Sequence, residues 1–180
     1  MSRRRLATAA ALAGVALVAA AAAGCGGGKA TRTTPARIDQ TVKGAGYTFS
    51  APVGWRVFAT ARGLSATGTG SQLLSVGVYK LVKPYAPARF EATATELDGV
   101  AARLAAGRKG KVASKETLTV AGRKVRSYRI GYELGGDRLT QQVTFVLRNT
   151  TEWLLVCRRA ATDPDEPCAQ LLSSFVLKAA

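Results

Sequence analysis

Alternation of apolar and polar side chains predicts short β-strands from residue 46 onward. Tyr47 and Phe49 alternate with polar residues, and the apolar residues of segment 71–82 alternate over a longer stretch. Successive side chains of a strand point to opposite faces, so this period of two indicates sheets with buried faces. Pro84 and Pro87 follow the second segment and are expected to end it.

The period changes in segment 88–107, which predicts an amphipathic helix. Acidic residues lie in its first half, where they interact favourably with the helix dipole. Gly107 follows its last turn and is expected to end the helix. The apolar residues recur at spacings of three and four and form one stripe: Phe90, Ala94, Leu97, Ala101 and Leu104.

Hairpin-linked strands are predicted next, with turns at 121–123, 135–137 and 149–150. The last of these strands, 151–158, is apolar on both faces and is therefore expected to lie centrally in a sheet. A short helix follows at 168–175. The predicted fold class is α+β: an antiparallel sheet with helices packed on both faces, an αβα sandwich.

The chain begins with a segment typical of export. Arg3 to Arg5 precede an uncharged, Ala-rich stretch from Leu6 to Gly24, so residues 1–24 are predicted to be a signal peptide. A permanent membrane span is the alternative, since the stretch is just long enough to cross a bilayer. Its weakly apolar Ala content, and its ending in Gly and Cys, favour the signal peptide.

Cys25 is predicted to carry a lipid. Residues 22–25, Ala-Ala-Gly-Cys, resemble the lipobox of bacterial lipoproteins, with Ala22 where Leu is usual. The alternative is cleavage after Ala21–Ala23, which leaves Cys25 as a free thiol. Residues 25–45 are rich in Gly, Thr and basic residues and predict a flexible tether, so that 46–180 is a single domain.

The same residues predict the location of the protein. It is expected to be exported and anchored to the outer face of the bacterial cytoplasmic membrane through the lipid on Cys25. The other two cysteines, Cys157 and Cys168, are separated by ten residues and are predicted to form a structural disulfide in that oxidising compartment. A redox-active pair is the alternative.

The charge of the chain favours an anionic partner. Lys and Arg number 26 against 11 Asp and Glu, and without Arg3 to Arg5 the balance is 23 to 11, or +12. Anionic lipid, an acidic envelope polymer and an envelope protein are the candidate partners. Nucleic acid also fits the charge, but the export signal argues against it.

Basic residues concentrate between residues 100 and 129. Some of them flank the two predicted turns on either side of strand 111–120, and they form an anion-binding patch if the two turns meet at one end of the sheet. The alternative is a solvated basic surface that keeps the protein soluble. The candidate residues are Arg108, Lys109, Lys111, Arg123 and Lys124.

No catalytic or metal-binding set stands out. The chain has no histidine, which removes Ser-His-Asp and Cys-His catalysis and the commonest transition-metal ligand. Asp163, Asp165 and Glu166 lie close together, but without the spacing of a calcium loop, so helix capping is the preferred role. We therefore expect no metal and no cofactor.

Several segments resemble PsbP-like proteins, including secreted actinobacterial lipoproteins of that fold. They are the opening YTFSAPVGW, the hairpin VAGRKVRSYRIGY, and the closing WLLVCRRA followed by CAQLLSSFVL. The resemblance covers about residues 45–177 and its motifs are structural. It implies an αβα sandwich with an accessory or binding role, and no metal site.

Together these features predict a membrane-anchored exported lipoprotein that acts as a non-catalytic binding or adaptor domain in the cell envelope. A basic module that binds anionic lipid or acidic polymer is the alternative. An envelope enzyme is a further one; without histidine, it would need a carboxyl or tyrosine mechanism.

Overall fold

The structure is a computed structural model that describes residues 39–178, and the predicted signal peptide, Cys25 and the tether up to residue 38 lie outside this range. A 3₁₀ turn at Pro87–Arg89 leads into the first helix. The described elements are β1 (Asp39–Gly44), β2 (Tyr47–Pro52), β3 (Arg56–Thr60), β4 (Gly63–Thr67), β5 (Leu73–Tyr85), α1 (Phe90–Ala106), β6 (Lys111–Val120), β7 (Arg123–Leu134), β8 (Asp137–Ala160), α2 (Glu166–Ser174) and β9 (Val176–Leu177).

Strand β8 folds back on itself at its midpoint. Residues 137–145 pair with β7, whereas residues 149–158 pair with β5. Asn149 has a φ of 52°, and the backbone N–H of Ala161 donates to the carbonyl of Arg138 at 2.8 Å. The 24 residues of β8 would span about 80 Å if straight, so its ends meet only because it turns at Asn149–Thr150. The predicted hairpin turn at 149–150 is therefore confirmed.

The strands form two antiparallel sheets. The large sheet has the order β3-β4-β5-β8-β7-β6, with both arms of β8 at its centre, and the small sheet has the order β1-β2-β9. The α+β class with antiparallel strands is confirmed. The prediction of one sheet missed the second, because β9 has only two residues and β1 buries one side chain, that of Val42.

The predicted tether extends too far into the domain. Residues 39–44, assigned to the tether, form β1 and pair with β2 from Asp39↔Pro52 to Gly44↔Tyr47. Gln40 donates to the carbonyls of Pro52 and Trp55, and Gln170 of α2 donates to Asp39. Backbone pairing and amide contacts hold this strand, which is why its sequence lacks an apolar period.

Both faces of the large sheet are buried against helices. On one face, α1 packs Leu97, Ala101 and Ala105 against apolar residues of β7 and β8. On the other face, α2 and the small sheet pack against β4, β5 and β8. The faces of β8 alternate accordingly, since Phe145 faces α1 while Val146 faces α2. Helices on both faces agree with the predicted αβα sandwich.

A polar clamp fastens α1 to the sheet. The carboxylate of Asp98 on α1 accepts from Arg126 Nε at 3.1 Å, Lys115 Nζ at 2.8 Å and Tyr128 Oη at 2.7 Å. The Arg126 hydrogen bond, followed by those of Lys115 and Tyr128, holds the pKa of Asp98 well below its usual range. Burial, and then the bond to Asp98, raises the pKa of Tyr128.

A disulfide fastens α2 to the opposite face. Cys157 on β8 and Cys168 on α2 are bonded, with Cα atoms 5.4 Å apart, and both side chains are buried in the core. The predicted pairing is confirmed. Because both sulfurs lie under α2 among apolar side chains, the arrangement suits a structural cross-link. Neither described helix has the length and apolar content of a membrane span.

Replacing Cys168 by Ser is expected to lower the free energy of unfolding by about 3 kcal/mol, because the unfolded chain regains the entropy of a short closed loop. Urea unfolding of both proteins under oxidising conditions measures the difference. Added reductant should destabilise the parent protein and leave Cys168→Ser unchanged; equal stability of the two oxidised proteins would contradict this role.

Replacing Asp98 by Asn is expected to destabilise the fold by about 2 kcal/mol at neutral pH, because Arg126 and Lys115 lose their charged partner. The low folded-state pKa of Asp98 stabilises the fold above its unfolded pKa of about 3.9, and this contribution is lost as pH falls further. Urea titrations at pH 7 and below pH 3 should show the difference between parent and variant shrinking in acid. A constant difference would contradict the clamp.

Candidate functional site

The structure separates the predicted basic patch into two groups. Arg108 and Lys109 precede β6 and Lys111 begins it, whereas Arg123 and Lys124 follow it. Val120 pairs with Arg123 and Lys111 with Gly131, so the two groups lie at opposite ends of a strand about 30 Å long. The patch as predicted is therefore wrong. The sequence already contained the signal: one strand between two turns always places them at opposite ends of a sheet.

The first group lines a groove beyond the end of α1, at what we call the groove end. The groove, about 630 Å³, is lined by Lys109, Lys111, Arg138 and Glu133 among others. The Arg108 guanidinium lies 5.0 Å from the centre of the Tyr132 ring and donates to Tyr132 Oη at 3.0 Å. An ion pair of 3.6 Å joins Arg138 to Glu133, so acidic groups partly offset the positive charge here.

Further acidic residues lie close to this end. Asp165 accepts from Arg129 at 2.9 Å and from Arg159 at 3.1 Å, and the Asp163 carboxylate accepts the Ala160 backbone N–H. The Asp165 side chain makes no cap to α2, so its role is ion pairing rather than the expected helix capping. Arginines therefore occupy both carboxylate oxygens of Asp165.

The second group lies at what we call the hairpin-tip end, where the turns of four hairpins and the start of α1 come together. The Arg148 guanidinium donates to the Lys178 carbonyl at 3.2 Å, and Lys178 N–H donates to Gly46 at the β1–β2 turn. Lys124 pairs with Glu91 at 2.7 Å. The basic residues at this end are Lys43, Arg62, Lys80, Lys83, Arg89, Arg123, Lys124, Arg148 and Lys178.

Strand β3 is an open edge of the large sheet. Among the strands formed by residues 39–178 it pairs with β4 alone, and all five of its side chains are exposed. Val57 is 38% exposed and Phe58 37%, and the Arg56 guanidinium lies 5.5 Å from the centre of the Phe58 ring. The opposite edge, β6, instead exposes Lys111, Lys115 and Glu116, which are charges that discourage strand addition.

The sheet face beside β3 is only partly covered. Helix α1 covers this face mainly over β6 and β7, which lie at the edge of the large sheet opposite β3. Tyr79, Leu154 and Val156 remain half-buried and line a hollow of about 260 Å³ together with Arg62 of the β3–β4 turn. The Arg62 guanidinium lies 4.9 Å from the centre of the Tyr79 ring. Edge and hollow together form a surface that is apolar at its centre and cationic at its rim.

One carboxyl group has the kind of pKa shift that an acid–base mechanism would need. Burial raises the pKa of Glu152, which lies across from Tyr79 in the sheet. Within residues 39–178 its side chain makes no ion pair. The same residues contain no group of three or more His, Cys, Asp or Glu placed to hold a metal ion.

No protein-family model and no curated protein matches the sequence. The chain is similar to the solution structure of the cyanobacterial PsbP protein CyanoP from Synechocystis sp. PCC 6803. The TM-score is 0.58 at 14% identity, and the match covers 87% of this chain and 98% of CyanoP.

Two crystal structures are also similar. A protein from Bacteroides thetaiotaomicron VPI-5482 matches with a TM-score of 0.56 at 7% identity, over 74% of this chain and 46% of that one, so the chain spans about half its length. LpqN of Mycobacterium tuberculosis, described as involved in cell envelope biogenesis, has a TM-score of 0.49 at 12% identity, over 79% of this chain and 91% of LpqN. The match to CyanoP confirms the fold expected from the sequence resemblance: this chain has the PsbP-like fold.

Proposed function

We propose that the protein is an exported lipoprotein that acts as a non-catalytic binding or adaptor domain in the cell envelope. The observation that carries this proposal is the open edge of the large sheet. Within the part of the chain that the structure describes, strand β3 has unpaired backbone groups on its outer side, next to exposed Val57 and Phe58. An extended segment of a partner can add a strand there through main-chain hydrogen bonds.

The expected partner is an extended, acidic segment of an envelope protein. Arg56 and Arg62 are exposed beside the edge, and they complement acidic side chains on an added strand. Val57 and Phe58 point to opposite faces of β3 and offer apolar contacts to alternate side chains of that strand. Main-chain pairing would supply affinity, and these side-chain contacts would supply selectivity.

A binding role accounts for these features better than catalysis. The chain contains no histidine, and residues 39–178 hold no group of three or more His, Cys, Asp or Glu placed to bind a metal ion. The polar networks that do occur, around Asp98 and Asp165, join helices to strands through ion pairs. Such networks stabilise packing and do not present a reactive group to a substrate.

The proposed location of the protein depends on the lipid carried by Cys25. In this proposal the lipid on Cys25 holds the domain at the outer face of the cytoplasmic membrane, and residues 26–38 connect the two. Each buried methylene of an acyl chain adds about 0.8 kcal/mol of membrane affinity, so a diacylated cysteine retains the protein stably.

Mass spectrometry of the N-terminal peptide from the native envelope should find Cys25 at the new N-terminus with a diacylglyceryl or triacyl modification. Cys25→Ala should lose the modification and should no longer be processed at residue 25. A free Cys25 thiol in the native protein would contradict the lipoprotein assignment while leaving the β3 proposal intact.

The edge-strand proposal is tested with a photo-crosslinking residue at position 58, and with the same residue at Leu134, which is 59% exposed on the β7–β8 turn. In native envelopes we expect an adduct from position 58 that maps to an extended acidic segment of one envelope protein. Position 134 should give no such adduct.

The identified partner is then purified and titrated against the full chain. Val57→Lys combined with Phe58→Lys should weaken binding about tenfold or more, since aromatic anchors dominate interfaces and lysines oppose strand addition. Leu134→Lys is the matched control and should leave the affinity unchanged. Val57 and Phe58 are 38% and 37% exposed, so urea unfolding of each variant is measured first and the titrations are run where all three proteins are folded. Unchanged affinity in the double variant would contradict the proposal.

A further inference from the structure

Strand β5 carries a protruding apolar residue at the hairpin-tip end. Its pairing with β8 shifts between Lys80↔Thr151 and Tyr85↔Asn149, so four residues of β5 lie opposite one residue of β8. The resulting bulge lifts residues 81–84 out of the ladder. Within it the side chain of Val82 is 99% exposed, more than any other large apolar residue that the structure describes.

Basic side chains surround this valine. Lys80 and Lys83 flank it and are exposed, and a 220 Å³ cavity beneath the bulge is lined by Lys83 and Arg89 with one acidic residue, Glu96. Arg62 and Lys43 extend the positive surface along the neighbouring turns, where both line one shared hollow. Leu81 and Tyr85, on either side of Val82, turn back toward the core, so the bulge rests on packed residues.

The hairpin-tip end carries a strong excess of positive charge. The nine basic residues of the hairpin-tip end are accompanied there by three acidic ones, Glu91, Glu96 and Glu152, among the described residues. Glu91 is engaged by Lys124, and Glu152 is half-buried. The groove end instead mixes its basic residues with acidic ones, through pairs such as Arg138–Glu133 and Arg159–Asp165.

We propose that the hairpin-tip end docks on the surface of an anionic lipid bilayer, with Val82 entering the headgroup region. An exposed apolar tip within a ring of cations matches both parts of such a surface: the cations bind anionic headgroups, and the apolar side chain leaves water. A soluble acidic polymer offers charges but no apolar phase, so it leaves the exposure of Val82 unexplained.

This docking fixes the orientation of the domain and leaves its edge accessible. The β3 strand runs toward the hairpin-tip end. When that end contacts the membrane, the strand points toward the bilayer and its open edge remains accessible from the side of the domain. A partner can then pair with β3 while the domain remains docked. The proposal rests on neither the β3 partner nor the lipid on Cys25, because it concerns which surface of the domain faces the bilayer.

The full chain is reconstituted in vesicles with an environment-sensitive fluorophore on Val82→Cys or, as the matched control, on Leu134→Cys at the other end. The parent chain, treated with the same fluorophore, measures the background from labelling at Cys25. Cys157 and Cys168 do not react, because they are bonded to each other. In vesicles rich in phosphatidylglycerol we expect a blue shift, and quenching by nitroxide-labelled lipid, at position 82 only. In phosphatidylcholine alone the two positions should behave alike.

Charge variants separate docking from anchoring. Lys80→Gln combined with Lys83→Gln should lower the ratio of docked to undocked protein about 30-fold. Each basic residue near an anionic surface is expected to strengthen docking by a factor of about five. Lys109→Gln with Lys111→Gln removes the same charge from the groove end and should leave the ratio unchanged. Equal signals at positions 82 and 134, or an equal response to both charge pairs, would overturn the proposal. So would binding of free acidic polymer that shields position 82 without any lipid quenching.

Discussion

The long hairpin Asp137–Ala160 is the element on which every other layer depends. Its two arms occupy the centre of the large sheet, and both of their faces are apolar. Apolar groups on both faces of a central strand require cover on both sides, because leaving either face in water costs about 25 cal/mol for each Å² exposed. Helix α1 covers Phe145 and Val143 on one side, and α2 with the small sheet covers Val146 and Leu155 on the other.

The two layers that cover the large sheet, α1 on one face and α2 with the small sheet on the other, are attached to it by different interactions. Asp98 holds α1 through charged hydrogen bonds to β6 and β7, while the Cys157–Cys168 bond holds α2 to β8. Strand β3 lies three strands from β8 at the far edge, and its five side chains remain exposed. The same architecture that buries the hairpin therefore leaves one edge strand and part of one face open. The surfaces proposed to bind follow from where the two covers end.

Much of this fold follows from the periodicity of the sequence. The apolar stripe of α1 predicts its buried face, although Ala105 rather than Leu104 completes it, and the turn at Asn149–Thr150 follows from two apolar segments that meet at polar residues. Strand β1 could not be predicted this way, since its hydrogen bonds to β2 carry it and only Val42 is buried. The two-residue β9 is likewise set by the packing of Phe175 rather than by a local pattern.

The surfaces were less accessible to prediction than the fold. The sequence shows that basic residues cluster at the two turns that flank β6. Their number alone does not show that these turns lie at opposite ends of the sheet. The Asp98 clamp joins residues from α1, β6 and β7 that are separated by 17 to 30 positions, so no local motif marks it. Exposure of Val82 depends on a register shift between β5 and β8, and a register shift is a property of pairing that one strand's sequence does not reveal.

The central claim is that a partner strand occupies the β3 edge in the envelope. Backbone amide hydrogen exchange tests it most directly, by comparing the full chain in its native membranes with the same chain purified alone. The account predicts that amides of Arg56–Thr60 exchange more slowly in the membranes, while those along the charged β6 edge exchange at the same rate in both. Equal exchange at β3 in the two samples would contradict the account.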